Sequence, residues 1–318
     1  MPECLAIIDC GTNTFNLLIV EILDEGKFRK IYSTRASVKL GEGAINQGYI
    51  SEMPFNRGLT ALESFSADMA RFPVNKVLAY ATSAIRDASN GEDFVRLVNE
   101  RYGISISIID GNREAELIAS GVMAAVTALP GRSLVMDIGG GSTEFIITEG
   151  QKPLWKHSFN IGAARLLDRF KPSNPMTKDE FRSIQDYLRL KLEPLLTEHA
   201  GLPCAELLGS SGAFDSIVEM IHGELNGEAL RQGQNEYLIR LDDYRIISER
   251  VRYSTLEERR HIKGLVAMRI DMIVISCILV DFVLESLNLK RMRVSTYSLK
   301  EGAVVEYIRD KSPNFKTV

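Results

Sequence analysis

The most distinctive hydrophobic pattern in the chain is a pair of apolar runs joined by a short polar turn at residues 134–147. The first run reaches Asp137, three consecutive glycines and two hydroxyl residues follow, and an apolar run resumes after Glu144. This pattern predicts a strand, a tight turn and a second strand. The glycines carry no side chains, so the backbone N–H groups of the turn can approach an anion, and the two acids are oxygen ligands of the kind that Mg²⁺ binds. On this segment alone, a glycine-rich hairpin with two solvated acids is an equally good interpretation.

Residues 7–19 repeat this plan near the start of the chain. Asp9 corresponds to Asp137, and Asn16 corresponds to Glu144. A duplicated half-domain explains the repeat and predicts two phosphate-binding hairpins that face each other across a cleft. The motif is not a dinucleotide fingerprint, because a strand and not a helix follows the glycines. It is not a P-loop either, because no Gly-Lys-Ser/Thr closes either turn.

A candidate arginine follows the next predicted strand. Residues 76–82 read as a short buried strand, and Arg86 lies just beyond them. Open α/β sheets place ligand-binding residues at the carboxyl ends of their strands, which makes Arg86 a candidate. From the sequence alone, a surface arginine that pairs with Asp87 or Asp93 is the favoured alternative.

A candidate carboxylate opens the following helix. Residues 104–109 alternate as a strand, and the helix after them is expected to take Asn112 as its N-cap. Glu114 lies in the first turn of this helix. Acids at that position commonly only complement the helix dipole, and this is the favoured interpretation from the sequence alone.

A third glycine turn occurs in the second half of the chain. A strand at residues 205–208 leads through Ser211 and Gly212 into a helix, and a helix N-terminus after such a turn can bind phosphate. An ordinary strand-to-helix turn is equally compatible with these residues. Arg165 could face the cleft or simply be solvated, and the second interpretation is favoured. Arg269 is interpreted as structural.

Composition narrows the class of protein. A chain of 318 residues suggests two domains, and 45% apolar with 25% charged residues is ordinary for a soluble globular protein. The formal charge of −4 gives no electrostatic footprint for nucleic acid, so a polyanion would need a local basic patch. The four cysteines and four histidines show no disulfide or zinc spacing, and no signal peptide or membrane span is evident. The sequence therefore predicts a cytoplasmic protein without membrane or nucleic-acid binding.

The two hairpins resemble those of the actin, Hsp70 and sugar-kinase superfamily. Residues 81–90, 110–118 and 299–302 narrow the resemblance to the exopolyphosphatase/guanosine pentaphosphate phosphatase family, whose motifs occur here in the same order. The resemblance implies an α/β fold of two duplicated ribonuclease H-like domains facing a central cleft. The expected domains are residues 1–123 and 124–298, with a closing helix at 299–318 that returns to the first domain.

The resemblance also implies an activity, namely release of orthophosphate from inorganic polyphosphate by Mg²⁺-assisted attack of water. Glu114 matches the family's catalytic carboxylate, and Arg86 matches the arginine that reaches toward substrate phosphate. The expected metal ligands are Asp137, Glu144 and Asp9. The expected phosphate-binding residues come from the three turns: Gly11, Thr12, Asn13, Thr14, Gly139, Gly140, Gly141, Ser142, Thr143, Ser211 and Gly212.

Two alternatives stay open. The first is a guanosine pentaphosphate 5′-phosphohydrolase, which uses the same chemistry on a nucleotide. The second is an ATP-binding actin-like kinase or a nucleotide sensor. Asn16 and Arg113 depart from the residues usual in the family, which affects the expected substrate preference more than the catalytic groups. The resemblance further implies a homodimer.

Overall fold

The structure is a computed structural model and describes residues 3–23, 26–127, 131–226 and 233–311. The chain forms two compact units. Unit 1 comprises the chain up to Ala124 together with the segment from Ser298 onward, and unit 2 is Ala125–Tyr297.

The eleven strands seen in the described ranges are β1 (Glu3–Cys10), β2 (Thr14–Ile22), β3 (Phe28–Ser37), β4 (Val74–Ala81), β5 (Ile106–Ile108), β6 (Arg132–Ile138), β7 (Thr143–Glu149), β8 (Lys152–Phe159), β9 (Glu206–Ser210), β10 (Glu236–Ile239) and β11 (Arg291–Ser295). The α-helices of the same ranges are α1 (Glu52–Met69), α2 (Ser83–Arg86), α3 (Gly91–Tyr102), α4 (Gly111–Ala125), α5 (Ala163–Phe170), α6 (Lys178–Lys191), α7 (Glu193–Gly201), α8 (Ser211–Ile221), α9 (Leu241–Tyr253), α10 (Leu256–Arg260), α11 (Ile273–Ser286) and α12 (Leu299–Lys311).

The two units repeat one strand order. The sheet of unit 1 runs β3-β2-β1-β4-β5, and the sheet of unit 2, taken from its other end, runs β8-β7-β6-β9-β11 with β10 added at the edge. In each sheet an antiparallel hairpin is followed by parallel strands, β1–β4–β5 in one and β6–β9–β11 in the other. The repeat confirms the duplicated α/β fold that the two hairpins predicted. The cleft between the two domains stays a prediction.

The central strands are apolar on both faces because helices cover the sheets. In β1 the side chains of residues 5–8 are fully buried, whereas the edge strand β3 has only half-buried and exposed positions, which alternate along most of its length. Helix α11 is mostly apolar, and all its residues from Ile273 to Val283 are buried, with Ser276 and Asp281 as the polar exceptions. No helix of the described chain combines the length and the apolar character that crossing a bilayer requires.

Helices α4 and α12 approach each other at their backbones within unit 1. A Cβ atom on Gly302 would lie 1.8 Å from the carbonyl oxygen of Leu117, and one on Gly121 would lie 2.1 Å from that of Ser298. Beside this contact, Glu306 accepts hydrogen bonds from Arg113 (3.2 Å to one oxygen) and from the hydroxyl of Ser120 (3.3 Å). The predicted closing helix begins at Leu299, as expected, and its residues 312–318 lie outside the described residues.

The contact makes a prediction about glycine in this helix pair. Gly302→Ala should lower the free energy of unfolding by about 1–3 kcal/mol, because the added carbon overlaps backbone that cannot move independently. Urea unfolding followed by circular dichroism measures the change.

Gly201→Ala is the matched control. Gly201 is the last residue of α7 and has open space around its would-be Cβ atom, so alanine should be neutral or slightly stabilising there. Equal midpoints for Gly302→Ala and the unaltered protein would contradict the packing described here.

Candidate functional site

The candidate residues of unit 1 lie at the carboxyl ends of its parallel strands. Gly11 follows β1, and the N–H of Thr82, directly after β4, donates to the carbonyl of Cys10 at 3.4 Å. The N–H of Ile109, directly after β5, donates to the carbonyl of Ala81 at 3.0 Å. These bonds hold the ends of all three strands at one edge of the sheet, where α/β proteins bind their ligands.

Arg86 and Glu114 meet at this edge. The Nη1 atom of Arg86 donates to Oε2 of Glu114 at 2.9 Å and to the carbonyl of Ile109 at 3.1 Å. Its Nε lies 3.4 Å from a carboxylate oxygen of Asp87, so the pairing expected of a surface arginine also exists. Arg86 and Glu114 are not surface side chains, however, because the Arg86 side chain is only 18% exposed and the Glu114 side chain only 9%. The two candidates therefore form one half-buried ion pair.

The N-cap of the helix that carries Glu114 differs from the expectation. The carboxylate of Asp110 accepts from the N–H of Arg113 at 2.8 Å, and the Asp110 carbonyl accepts from the N–H of Glu114 at 2.9 Å. Helix α4 begins at Gly111, so Asn112 lies inside the first turn and the prediction that it caps the helix was wrong. Asp110 is the cap because it is the last extended residue before the helix.

The first glycine turn, which contains Gly11, Thr12, Asn13 and Thr14, is anchored through its carbonyl groups. The carbonyl of Thr12 accepts from the N–H of Leu40 at 2.7 Å, and that of Asn13 accepts from Val38 and Lys39 at 2.9 Å. Thr12 itself is 3% exposed. The segment after β3 therefore fixes the conformation of the turn.

The second glycine turn is anchored in the same way by helix α5. The carbonyls of Gly139 and Gly140 accept from the N–H groups of Ala163 and Ala164, each at 2.9 Å. Arg165 donates its Nε to the carbonyl of Gly141 at 2.8 Å, so the expectation that this arginine is simply solvated was wrong. Because these carbonyls accept from the helix, the N–H groups of Gly140 and Gly141 point away from it and are left for another acceptor.

Those N–H groups are available for an anion. The N–H of Gly139 closes the turn on the carbonyl of Ser142 at 3.0 Å. In the parts of the chain that the structure describes, the N–H groups of Gly140, Gly141 and Ser142 donate to no protein acceptor. A Cβ atom on Gly162 would lie 2.5 Å from the backbone of Gly140, so glycine is needed there for α5 to approach the turn.

Asp137 and Glu144 lie directly opposite each other on β6 and β7. They are 5% and 1% exposed, Asp137 accepts from the hydroxyl of Ser210 at 3.0 Å, and Glu144 accepts from that of Ser158 at 2.6 Å. Two like charges in opposite positions of a ladder repel each other, and this pair is buried as well. A divalent cation relieves that repulsion.

The corresponding pair in unit 1 is chemically different. Asp9 lies opposite Asn16, whose amide donates to the Asp9 carboxylate at 3.0 Å. This pair brings one negative charge where unit 2 brings two. Within the described residues no group of three or more acidic, histidine or cysteine side chains is placed to hold a metal. Mg²⁺ commonly uses only one or two carboxylates together with water and substrate phosphate, so the pair in unit 2 fits it.

The third turn lies beside this pair at the N-terminus of α8. Ser211 has a φ of +67°, a rare conformation for a residue other than glycine, and its hydroxyl donates to the carbonyl of Ile138 at 3.3 Å. A Cβ atom on Gly212 would lie 1.4 Å from Nη2 of Arg269, so the guanidinium rests directly on this glycine. The interpretation of Arg269 as purely structural missed its position at a helix N-terminus, where anions bind.

The structure thus assembles two sets of the predicted residues. Unit 1 holds Asp9, the turn from Gly11 to Thr14, Arg86 and Glu114, and unit 2 holds Asp137, Glu144, the turn from Gly139 to Thr143, Ser211 and Gly212. The hydroxyl of Thr143 is directed inward and donates to the carbonyl of Ile161 at 3.4 Å. The roles of these residues in binding and catalysis stay predictions.

Comparison with known proteins decides the family. The model of the Ppx/GppA phosphatase family matches residues 18–311. The chain belongs to this family. Its members act on phosphoanhydrides as hydrolases, so the resemblance found in the motifs and the enzyme class it implied are both confirmed.

The relatives carry two kinds of name. The crystal structure of an exopolyphosphatase from Cytophaga hutchinsonii is 37% identical in sequence and superposes with a TM-score of 0.94. The match covers 97% of this chain and 98% of that one. A Vibrio cholerae protein named guanosine-5′-triphosphate,3′-diphosphate pyrophosphatase is 28% identical over 305 residues, which are 96% of this chain and 59% of that relative. This chain therefore spans about three fifths of the length of the relative with the nucleotide name.

A third comparison concerns the fold alone. A Ppx/GppA enzyme of Aquifex aeolicus is 24% identical in sequence and superposes with a TM-score of 0.79. The match covers 96% of this chain and all of that one. The two-domain α/β fold expected from the hairpins is the fold of this family.

The position of Arg269 leads to a prediction about the third turn. Gly212→Ala should weaken binding of pyrophosphate about ten-fold, because the added carbon displaces the guanidinium from the N-terminus of α8. The end of an arginine side chain can move, so the thermal midpoint should change little. Isothermal titration calorimetry with pyrophosphate measures the affinity, and Gly201→Ala is again the control. Wild-type affinity in the Gly212→Ala variant would show that Arg269 does not contribute.

Proposed function

We propose that this chain is an exopolyphosphatase, which releases orthophosphate from the end of inorganic polyphosphate by attack of water. The observation that carries the proposal is the Glu114–Arg86 pair, because it places a carboxylate and a phosphate-binding cation 2.9 Å apart at the ligand-binding edge of a sheet. The name of the Cytophaga hutchinsonii relative, which matches this chain over nearly its whole length, supports polyphosphate as the substrate.

Glu114 has the role of orienting and deprotonating the attacking water. A carboxylate suits this role when it is fixed, and here the helix backbone and Arg86 fix it. Arg86 has the role of neutralising charge on the transferred phosphoryl group through a planar array of donors.

The glycine turns have the role of holding the phosphate chain. The N–H groups of Gly140, Gly141 and Ser142, which have no protein acceptor in the described ranges, supply donors without a competing internal bond. The N-terminus of α8 with Ser211, Gly212 and Arg269 supplies further positive potential. The turn from Gly11 to Thr14 has the same role in unit 1.

Asp137 and Glu144 have the role of holding Mg²⁺, and Asp9 that of a helper. When bound, the ion supplies neutralisation of charge on the phosphate oxygens. Asn16, which occupies the position equivalent to Glu144, makes unit 1 the weaker of the two candidate metal sites. A cytoplasmic location, a homodimer and the absence of nucleic-acid and membrane partners are parts of the same proposal.

The second candidate substrate is guanosine pentaphosphate, and the name of the Vibrio cholerae relative favours it. The reaction would be the same hydrolysis of a terminal phosphoanhydride. Polyphosphate is preferred here because the exopolyphosphatase structure is 37% identical to this chain, against 28% for that relative. An ATP-driven kinase or a nucleotide sensor is the alternative of a different class.

Substitution of the carboxylate tests the mechanism. Glu114→Gln should lower the rate of orthophosphate release about 10³-fold, because the amide keeps the shape and the bond from Arg86 but cannot take a proton. Release is measured in parallel from short polyphosphate, long polyphosphate, guanosine pentaphosphate and ATP.

Glu116→Gln is the matched control for this variant. Glu116 lies on the same helix, and its side chain is 42% exposed and paired with Arg113, so the rate should stay unchanged.

Faster release of orthophosphate from guanosine pentaphosphate than from polyphosphate would change the assigned substrate and keep the mechanism. ATP binding without hydrolysis of any of the four compounds would refute the proposal that this chain hydrolyses phosphoanhydrides.

Metal removal tests the acidic pair. Chelation by EDTA should abolish phosphate release and Mg²⁺ should restore it. Asp137→Asn should raise the Mg²⁺ concentration for half-maximal rate by about ten-fold or more, because one of two ligating carboxylates is lost. Glu149→Gln on the same strand as Glu144 is the control, since Glu149 is exposed and pairs with Arg132. Full activity in EDTA would exclude the metal role.

A further inference from the structure

A separate pocket lies in unit 2, between the start of α6 and the end of α9. Its volume is about 230 Å³. Its lining consists of Met176, Thr177, Lys178, Phe181, Arg182, Gln185, Arg252 and Tyr253. None of these residues belongs to the candidate catalytic or phosphate-binding sets, and none has a role in the proposed reaction.

The lining combines positive charge with flat apolar surface. It contains three cationic side chains and no carboxylate, although the whole chain carries a charge of −4. Arg182 has a loose contact of 3.4 Å with Asp179, and both side chains are largely exposed, so this pairing contributes little. Phe181 and Tyr253 provide two aromatic surfaces, and Tyr253 is 59% exposed although it is a large hydrophobic residue.

Arg252 is fixed at this pocket by a buried network. Its guanidinium donates to Asp281, which is 7% exposed and also accepts from the hydroxyls of Tyr244 at 2.7 Å and Ser248 at 2.8 Å. Burial, together with the charge of Asp281, raises the pKa of Tyr244 well above its ordinary value, so its hydroxyl remains a donor. Asp281 thus accepts from three donors, and its charge holds Arg252 at the pocket.

The Arg252 guanidinium also faces the ring of Phe181, and not all of its hydrogen-bond donors have acceptors. Its Cζ lies 4.6 Å from the centre of the Phe181 ring, within cation–π distance. Its Nε is buried and has no hydrogen-bond partner in the described structure. A buried donor without an acceptor costs free energy, so Arg252 is held here by Asp281 and Phe181 and not by a full set of hydrogen bonds.

We propose that this pocket binds a small planar organic anion, an aromatic or heteroaromatic ring that carries a carboxylate or a phosphate. The ring stacks against Phe181 and Tyr253, and the anionic group pairs with Lys178, Arg182 and Arg252. The volume limits the ligand to about one ring system with its anionic group, because pockets for larger ligands span roughly 300–1,000 Å³. Inorganic phosphate alone lacks the ring and leaves the aromatic wall unused.

The test uses the full chain and three probes: salicylate, phenyl phosphate and inorganic phosphate. Titration calorimetry gives the affinities, and saturation-transfer NMR reports contact of the ring protons with the protein. At least one of the two ring-bearing anions should bind at least ten-fold more tightly than phosphate. Salicylate and phenyl phosphate distinguish a carboxylate from a phosphate as the anionic group on the ring.

Variants locate the binding. Lys178→Gln combined with Tyr253→Ala should weaken the tighter ring-bearing probe at least ten-fold, and both side chains are on the surface, so the fold should be retained. Arg189→Gln on the same helix as Lys178 is the matched control and should leave binding unchanged. The rate of orthophosphate release should be unaffected by either variant, which separates this site from the proposed catalytic one.

Two results would overturn the proposal. One is binding of phosphate as tight as that of both ring-bearing probes, which would exclude recognition of the ring. The other is unchanged affinity of the ring-bearing probes in the Lys178→Gln/Tyr253→Ala variant, which would place their binding elsewhere. Neither result bears on the exopolyphosphatase assignment.

Discussion

The geometry of the candidate residues depends on one constraint, the parallel alignment of three neighbouring strands in each sheet. Strands β1, β4 and β5 end at one edge in unit 1, and β6, β9 and β11 do so in unit 2. Residues far apart in the sequence, such as Gly11 and Glu114, are thereby brought to the same edge. A hairpin or meander of antiparallel strands would send alternate strand ends to opposite edges.

The two copies of the hairpin have diverged at one pair of opposite residues. An aspartate faces an asparagine in unit 1, where the amide satisfies the carboxylate directly. In unit 2 an aspartate faces a glutamate, and each acid accepts a bond from a different serine. The same backbone thus supports one amide-bonded carboxylate in unit 1 and two facing carboxylates in unit 2. The two hairpins therefore differ in charge although they share a strand order.

The sequence was sufficient for the features that depend on local pattern. Glycine turns between apolar runs predicted both hairpins, and the repeat predicted the duplicated fold. The sequence was insufficient where a side chain is held by a distant segment. Arg165 donates to a glycine carbonyl 24 positions away, and Arg269 rests on Gly212 across a longer interval, so neither could be distinguished from an ordinary arginine. The sequence prediction placed the helix cap at Asn112, two positions after the observed cap at Asp110. Asp, Gly and Asn occur together there, and all three favour helix starts.

The contact between Gly121 and the Ser298 backbone brings together the two points of unit 1 at which the chain leaves for unit 2 and returns from it. Unit 2 is one uninterrupted stretch of chain, and the two ends of unit 1 that flank it are neighbours, since α4 and α12 touch at that point. Unit 2 is topologically an insertion between two adjacent points of unit 1. The covalent connection can therefore be cut and rejoined there with only a short linker, so that each half becomes a continuous polypeptide of its own.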